Sequence, residues 1–96
     1  MIRLEMLGRL TRDPETRITD KGMAVTKITL AVNEGKDKTS FHDFTAFGKI
    51  AETLKDHTKK GQMILIDNAT INNNSYEKDG IKHYTKELIV YSFRFC

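Results

Sequence analysis

The stretch "SFHDFTAFGKIAETLKDH", residues 40–57, changes its periodicity partway along. Up to Phe47 it reads as a strand, with Phe41, Asp43, Thr45 and Phe47 on one face and His42, Phe44 and Ala46 on the other. Phe44 and Ala46 can serve a core. Phe41 and Phe47 share their face with an aspartate and a threonine, where a core is not expected and a flat partner can stack. From Lys49 the spacing becomes helical. Ile50, Ala51, Leu54 and Thr58 fall on one side, Lys59 and Lys60 suit the carboxyl end of a helix dipole, and Gly61 suits its cap. A short helix therefore follows this strand directly.

Upstream, "AVTKITLAVN" (24–33) alternates as a half-buried strand does: Ala24, Thr26, Ile28, Leu30 and Val32 share one parity, and Lys27, Thr29 and Asn33 the other. The charged "EGKDKTS" (34–40) joins it to the strand at 40 as a hairpin turn. Further back, the aliphatic "IRLEMLGRL" (2–10) reads as a strand, and "TRDPETR" (11–17) as a loop in which Asp13 and Pro14 mark a bend. Beyond the helix, "QMILIDNATI" (62–71) and "HYTKELIVYSFRF" (83–95) read as two more strands. Between them "NNNSYEKDG" (72–80) carries the Asn, Ser, Asp and Gly content of an exposed turn or a long hairpin tip. The order is strand, strand, strand, helix, strand, strand. That is the order of the all-β, five-stranded OB-fold barrel, in which one short helix links strands 3 and 4 and the face of strands 2 and 3 binds oligonucleotides.

Composition narrows the function. The 96 residues fit a single domain spanning 1–96, with a modest core and no deep pocket between domains. Sixteen basic residues against 13 acidic give a formal charge of +3, which permits a polyanionic partner without demanding one. Cys96 is the only cysteine and the last residue, so no intrachain disulfide or paired-cysteine metal site can form, and a reducing cytoplasm is the natural setting. No apolar run approaches the ~20 residues of a bilayer span, and no export signal is visible at the amino terminus. His42, His57 and His83 lie in separate elements without ligand spacing, so neither a metal nor a cofactor is expected. Asp13 with Glu15, and Asp37 near Asp43, have no nucleophile or phosphate loop beside them, which points away from an enzyme.

Binders of single strands combine a positive groove with exposed aromatics, because every base offers a stacking face. The aromatic candidates are Phe41 and Phe47, with Tyr76 in the last hairpin; the cationic ones are Arg3, Arg9, Arg12, Arg17, Lys27 and Lys49. Core or subunit packing is the competing reading for each aromatic, since aromatic side chains are usually buried.

Four ordered segments carry a resemblance: "GRLTRDPETR" (8–17), "ITLAVNE" (28–34), "FHDFTAFGKIAE" (41–52) and "YTKELIV" (84–90). Together they resemble the bacterial and phage single-stranded DNA-binding protein family over nearly the whole chain. The resemblance implies an OB-fold subunit, usually of a homotetramer, that coats single-stranded DNA in replication, recombination and repair without chemistry. It implies base stacking at Phe41, Phe47 and Tyr76, and a subunit interface near His42. The alternatives are a dimeric primosome-accessory protein similar to primosomal replication protein B, and an OB-fold module that binds other proteins. The family has an acidic tip after a flexible linker where this sequence ends at "SFRFC", so the expectation is a short form whose replication partners bind the barrel instead.

Overall fold

The computed structural model describes all 96 residues. Six strands and one helix follow in the order β1 (Leu4–Leu10), β2 (Glu15–Ile18), β3 (Ala24–Asn33), β4 (Thr39–Phe47), α1 (Lys49–His57), β5 (Met63–Lys78) and β6 (Ile81–Phe95). Five strands close a ring in the order β1-β5-β6-β4-β3, completed by pairing of β1 with β3 at Arg9–Ala31 and Leu10–Leu30. This is the OB barrel expected from the sequence, with its helix between the strands at 40–47 and 63–78.

Alternation builds the barrel. On β3, Ala24, Thr26, Ile28 and Leu30 point inward, opposite Phe44 and Ala46 of β4, while Val32 is only half-buried. Leu10, Ile64, Ile66, Ala69 and Val90 join them from the other strands, and Ala51 and Leu54 of α1 close one end. The helix is tied down by a polar link. The Thr26 hydroxyl donates to the Ala51 carbonyl at 2.8 Å and lies 2.7 Å from the Thr16 hydroxyl, so a buried threonine costs no unpaired group. Gly8 lets β1 reach β3: a Cβ there would lie 2.9 Å from the Ala31 carbonyl oxygen and 3.2 Å from Leu30 Cβ. No helix is long and apolar enough to cross a membrane.

Two segments differ from the sequence reading and a third decides between its alternatives. "TRDPETR" is not all loop: β2 begins at Glu15 and pairs with the first half of β3, from Glu15–Lys27 to Ile18–Ala24. Four residues are too few to display a period, so only the partner strand reveals it. The helix ends at Thr58, whose N–H and hydroxyl both donate to the Leu54 carbonyl, not at Gly61. Lys59 and Lys60 therefore lie past the helix, in a loop fastened to the end of β1 by Gly61 N–H to the Leu10 carbonyl (2.8 Å) and to Asp13 by the Lys60 N–H (2.8 Å). "NNNSYEKDG" is the tip of a long hairpin, the second of its two readings, and most of it is paired strand. β5 and β6 stay paired from Asn72–Glu87 to Lys78–Ile81, and only Asp79 and Gly80 turn, both at positive φ (54° and 76°) as a two-residue hairpin requires. The cross-strand ladder outweighs the weak strand propensity of three successive asparagines.

Candidate nucleic-acid interface

The outer face of β3 and β4 brings aromatic and cationic side chains together. Phe41 and Phe47 are 65% and 40% exposed there, while Phe44 between them is buried. Cross-strand register organises the face into rows. Arg17 of β2 pairs with Val25, and Val25 with Phe47; Arg9 of β1 pairs with Ala31, and Ala31 with Phe41. Each phenylalanine thus has an arginine in its own row, two strand spacings or roughly 10 Å away, with a small aliphatic residue between. A base on the ring and a phosphate on the guanidinium fit such a row.

Between these rows Glu15, Lys27 and Thr45 form a third, and Thr29 and Asp43 a fourth. Thr45 is buried despite its outward parity, because β6 lies alongside it with Ile89. Asp43 is exposed and accepts a 2.6 Å hydrogen bond from the Thr29 hydroxyl, so the centre of the face carries a fixed carboxylate.

β4 and β6 run parallel and pair only at Phe44–Leu88 and Thr45–Ile89. Where they separate, a cleft of about 370 Å³ opens, with Arg12, Lys27 and Asp43 on one side and Asn74, Thr85, Lys86 and Glu87 on the other. The far wall belongs to the β5–β6 hairpin, which projects past the barrel as an arm. The radius of gyration, 14.5 Å, exceeds the ~12.5 Å of a compact domain of this length for that reason. Tyr76 stands on the same arm face as Asn74 and Thr85, 51% exposed, with its ring stacked on His83 at 5.1 Å between centroids.

Of the residues singled out in the sequence, Phe41, Phe47, Arg9, Arg17 and Lys27 lie on one continuous face, Arg12 on the adjoining cleft and Tyr76 on the arm beside it. Arg9 also donates to the Gly61 carbonyl at 3.1 Å, and Arg12 lies 4.0 Å from Glu15. Lys49 opens α1, two residues after Phe47, at the margin of the face. Arg3 does not join the group. It precedes the end of β1 that pairs with β5 at Ala69, about 20 Å along the strand from Arg9. His42 is half-buried opposite Leu30, its Nε2 2.9 Å from the Ser40 hydroxyl. The cleft's arm wall, Asn74 with Thr85, Lys86 and Glu87, and the exposed Tyr84 are not visible in the sequence, because residues 83–95 read simply as a strand and nothing there marks which side is free.

A closed OB barrel with exposed aromatics and cations on one sheet face, and a hairpin arm beside it, defines an oligonucleotide- or oligosaccharide-binding class of protein. The comparisons with known proteins are more specific. The single-strand binding protein family model matches residues 1–96, and the chain belongs to that family. It is 40% identical over 99 residues to a single-stranded DNA-binding protein of Clostridium perfringens, covering 99% of this chain and 65% of the relative. It is 38% identical over 95 residues to single-stranded DNA-binding protein 2 of Streptococcus agalactiae serotype V, covering 93% and 72%. Single-stranded DNA-binding protein 3 of Listeria innocua is 35% identical over 101 residues, covering 99% and 63%. The chain thus spans less than two thirds of the first and third of these relatives. Members of the family bind without catalysing a reaction.

Proposed function

We propose that the protein binds single-stranded DNA with little regard to sequence, as one OB-fold domain spanning 1–96, and protects it in replication, recombination or repair. The observation that carries this reading is the pair of rows on the β3–β4 face, each with an exposed phenylalanine and an arginine. Bases stack on Phe41 and Phe47, and the strand continues past the cleft to Tyr76. Arg9, Arg12, Arg17 and Lys27 take the phosphates, with Lys49 at the margin. Stacking reads no base edge, which is why sequence matters little. The protein acts on the nucleoid in the cytoplasm.

It works as a homo-oligomer, a tetramer rather than a dimer. Supporting this, the outer face of β1 and β5 exposes Leu7 beside Leu65 and Met63, an apolar strip a symmetric copy can cover. His42 belongs to a subunit contact in this arrangement. Replication proteins dock on the barrel itself, where β2 is an open edge strand.

The test is a titration of labelled oligothymidine at several salt concentrations, with duplex DNA as competitor and the mass measured by light scattering. Tight binding that weakens with salt, poor competition by duplex and a mass of four chains are expected. Salt-independent binding, or equal competition by duplex, overturns the reading, and a mass of one chain removes the oligomer.

A further inference from the structure

The arm has two faces, and the cleft accounts for one. In a paired ladder successive side chains alternate, so Tyr76 and His83, which oppose each other, stand on one face, and Tyr84, opposite Ser75, stands on the other. Tyr84 is 74% exposed, more than either phenylalanine of the β3–β4 face. It is not a bare ring. Lys82 Nζ lies 5.5 Å from its centroid, and Lys86 follows two residues later on the same face. The only carboxylate there is Glu77, opposite Lys82 at the tip; Asn73 and Ser75 are neutral. The cleft-side face carries one carboxylate and one lysine, Glu87 near Thr85 and Asn74 and Lys78 out at the turn, so it has no net positive charge.

We propose that this second face, Tyr84 between Lys82 and Lys86, is a further contact surface for single-stranded DNA, so that a strand leaving the cleft crosses the arm and stacks a base on Tyr84. The inference rests on the single-strand-binding reading above and extends its path. Charge selects the occupant: an exposed ring flanked by two lysines offers a base a stacking face and a phosphate a cation on either side. Continuity supports it too. Lys86 stands on the Tyr84 face by parity yet also lines the cleft, so one side chain joins the two surfaces. Tyr84 follows the cleft wall outward, just past Thr85 and on the arm's opposite face, so a strand must run the length of the cleft and cross the arm to reach it, which a longer strand does.

The test compares oligothymidines of about 5 and about 16 nucleotides, the span one OB fold covers. Tyr84→Ala should weaken binding of the longer oligonucleotide by about 5- to 140-fold, the effect of losing one base stack, and leave the shorter one unchanged. Tyr84→Phe should keep the affinity, which separates stacking from loss of the hydroxyl. Lys82→Gln with Lys86→Gln should flatten the salt dependence for the longer oligonucleotide by about 1.4 in slope. Unchanged affinity in Tyr84→Ala, with wild type binding both lengths, overturns this inference alone, whereas wild type binding neither overturns the functional reading with it. A change of oligomeric mass in Tyr84→Ala assigns the ring to a subunit contact and overturns the inference as well.

Discussion

The β3–β4 face and the β5–β6 arm are both antiparallel ladders carrying exposed aromatics, but only the first stands on a core. Beneath Phe41 and Phe47 lie Ile28, Leu30, Phe44 and Ala46, so the strand that presents the rings is held from below. Beyond Ala69 on β5 and before Ile89 on β6, no residue is buried. The arm is held by its hydrogen-bond ladder, the Asp79–Gly80 turn and surface contacts such as the Tyr76–His83 stack, without a core beneath it. A ring fixed before the ligand arrives loses little freedom on binding, whereas a ring on a free hairpin must be ordered as it binds. In the proposed binding mode the face therefore supplies affinity from a preorganised surface, and the arm supplies reach.

The comparison breaks first at the core. Phe44→Ala should cost about 3 to 5 kcal/mol of stability, the range for deleting a buried phenylalanine, measured by urea unfolding. Tyr76→Ala on the arm should leave the unfolding midpoint nearly unchanged. Equal losses would mean that the arm is packed in a way its exposure contradicts. For binding, Phe41→Ala or Phe47→Ala should each weaken single-strand affinity by about 1 to 3 kcal/mol with the fold intact. Phe47 is the less exposed of the two, so part of its effect should also register as lost stability.

Tyr76→Ala sharpens the contrast. Its ring already lies on His83, so a base must share or displace that contact, and the loss should sit at the low end, about 1 kcal/mol. A loss larger than that of Phe41→Ala would reverse the ranking of face and arm.

How much of this was legible in the sequence follows the same division. The face could be read because its strands stand half in a core: the alternation around Phe44, and through Ala24 to Leu30, announces both the strands and the side that remains outside. Parity places Phe41 and Phe47 on that outer side, and the family resemblance adds their stacking role. The arm could not be read in that way, since a ladder exposed on both faces has no hydrophobic period, and its asparagines imitate a turn. Tyr76 stands out in the sequence as an isolated exposed ring, whereas Tyr84 reads as one residue of a strand. Only the register, with Tyr76 opposite His83 and Tyr84 opposite Ser75, puts them on different faces. β2 was hidden for another reason: its four residues are defined by β3, not by their own pattern.

A smaller effect is expected from Asp43, the carboxylate at the centre of the face. In the proposed binding mode it repels phosphates that Lys27 and Arg12, which line the same cleft, attract. Asp43→Asn keeps an acceptor for the Thr29 hydroxyl while removing the charge. Affinity for oligothymidine should rise by a few-fold at low salt, and the gain should shrink as salt screens it, with a Debye length of about 10 Å at 0.1 M. Weaker binding at every salt concentration would show instead that the carboxylate receives a base amine.

The smallest effect concerns the barrel end of the two strands that form the arm. There β5 and β6 are joined by side chains as well as by backbone: Ser92 donates to one oxygen of Asp67, and Arg94 Nε to the other at 3.0 Å. The arm holds no ion pair. The Ser92 hydrogen bond, with the bond and charge of Arg94, holds the Asp67 carboxyl below its ordinary value despite partial desolvation. A carboxyl depressed in the folded state binds protons less readily there than in the unfolded chain, so unfolding takes up protons in acid. Its stabilising contribution is therefore complete above the ordinary aspartate range and is lost as pH falls below it. Thermal unfolding of the wild type should show no pH dependence from this group between about pH 5 and 8, where its contribution is complete, and a decline below about pH 4 that is shallower in Asp67→Asn. Single-strand affinity at neutral pH should not change in that variant, because Asp67 lies off the aromatic face. An acid limb of unchanged steepness would show that the link does not hold the two strands together.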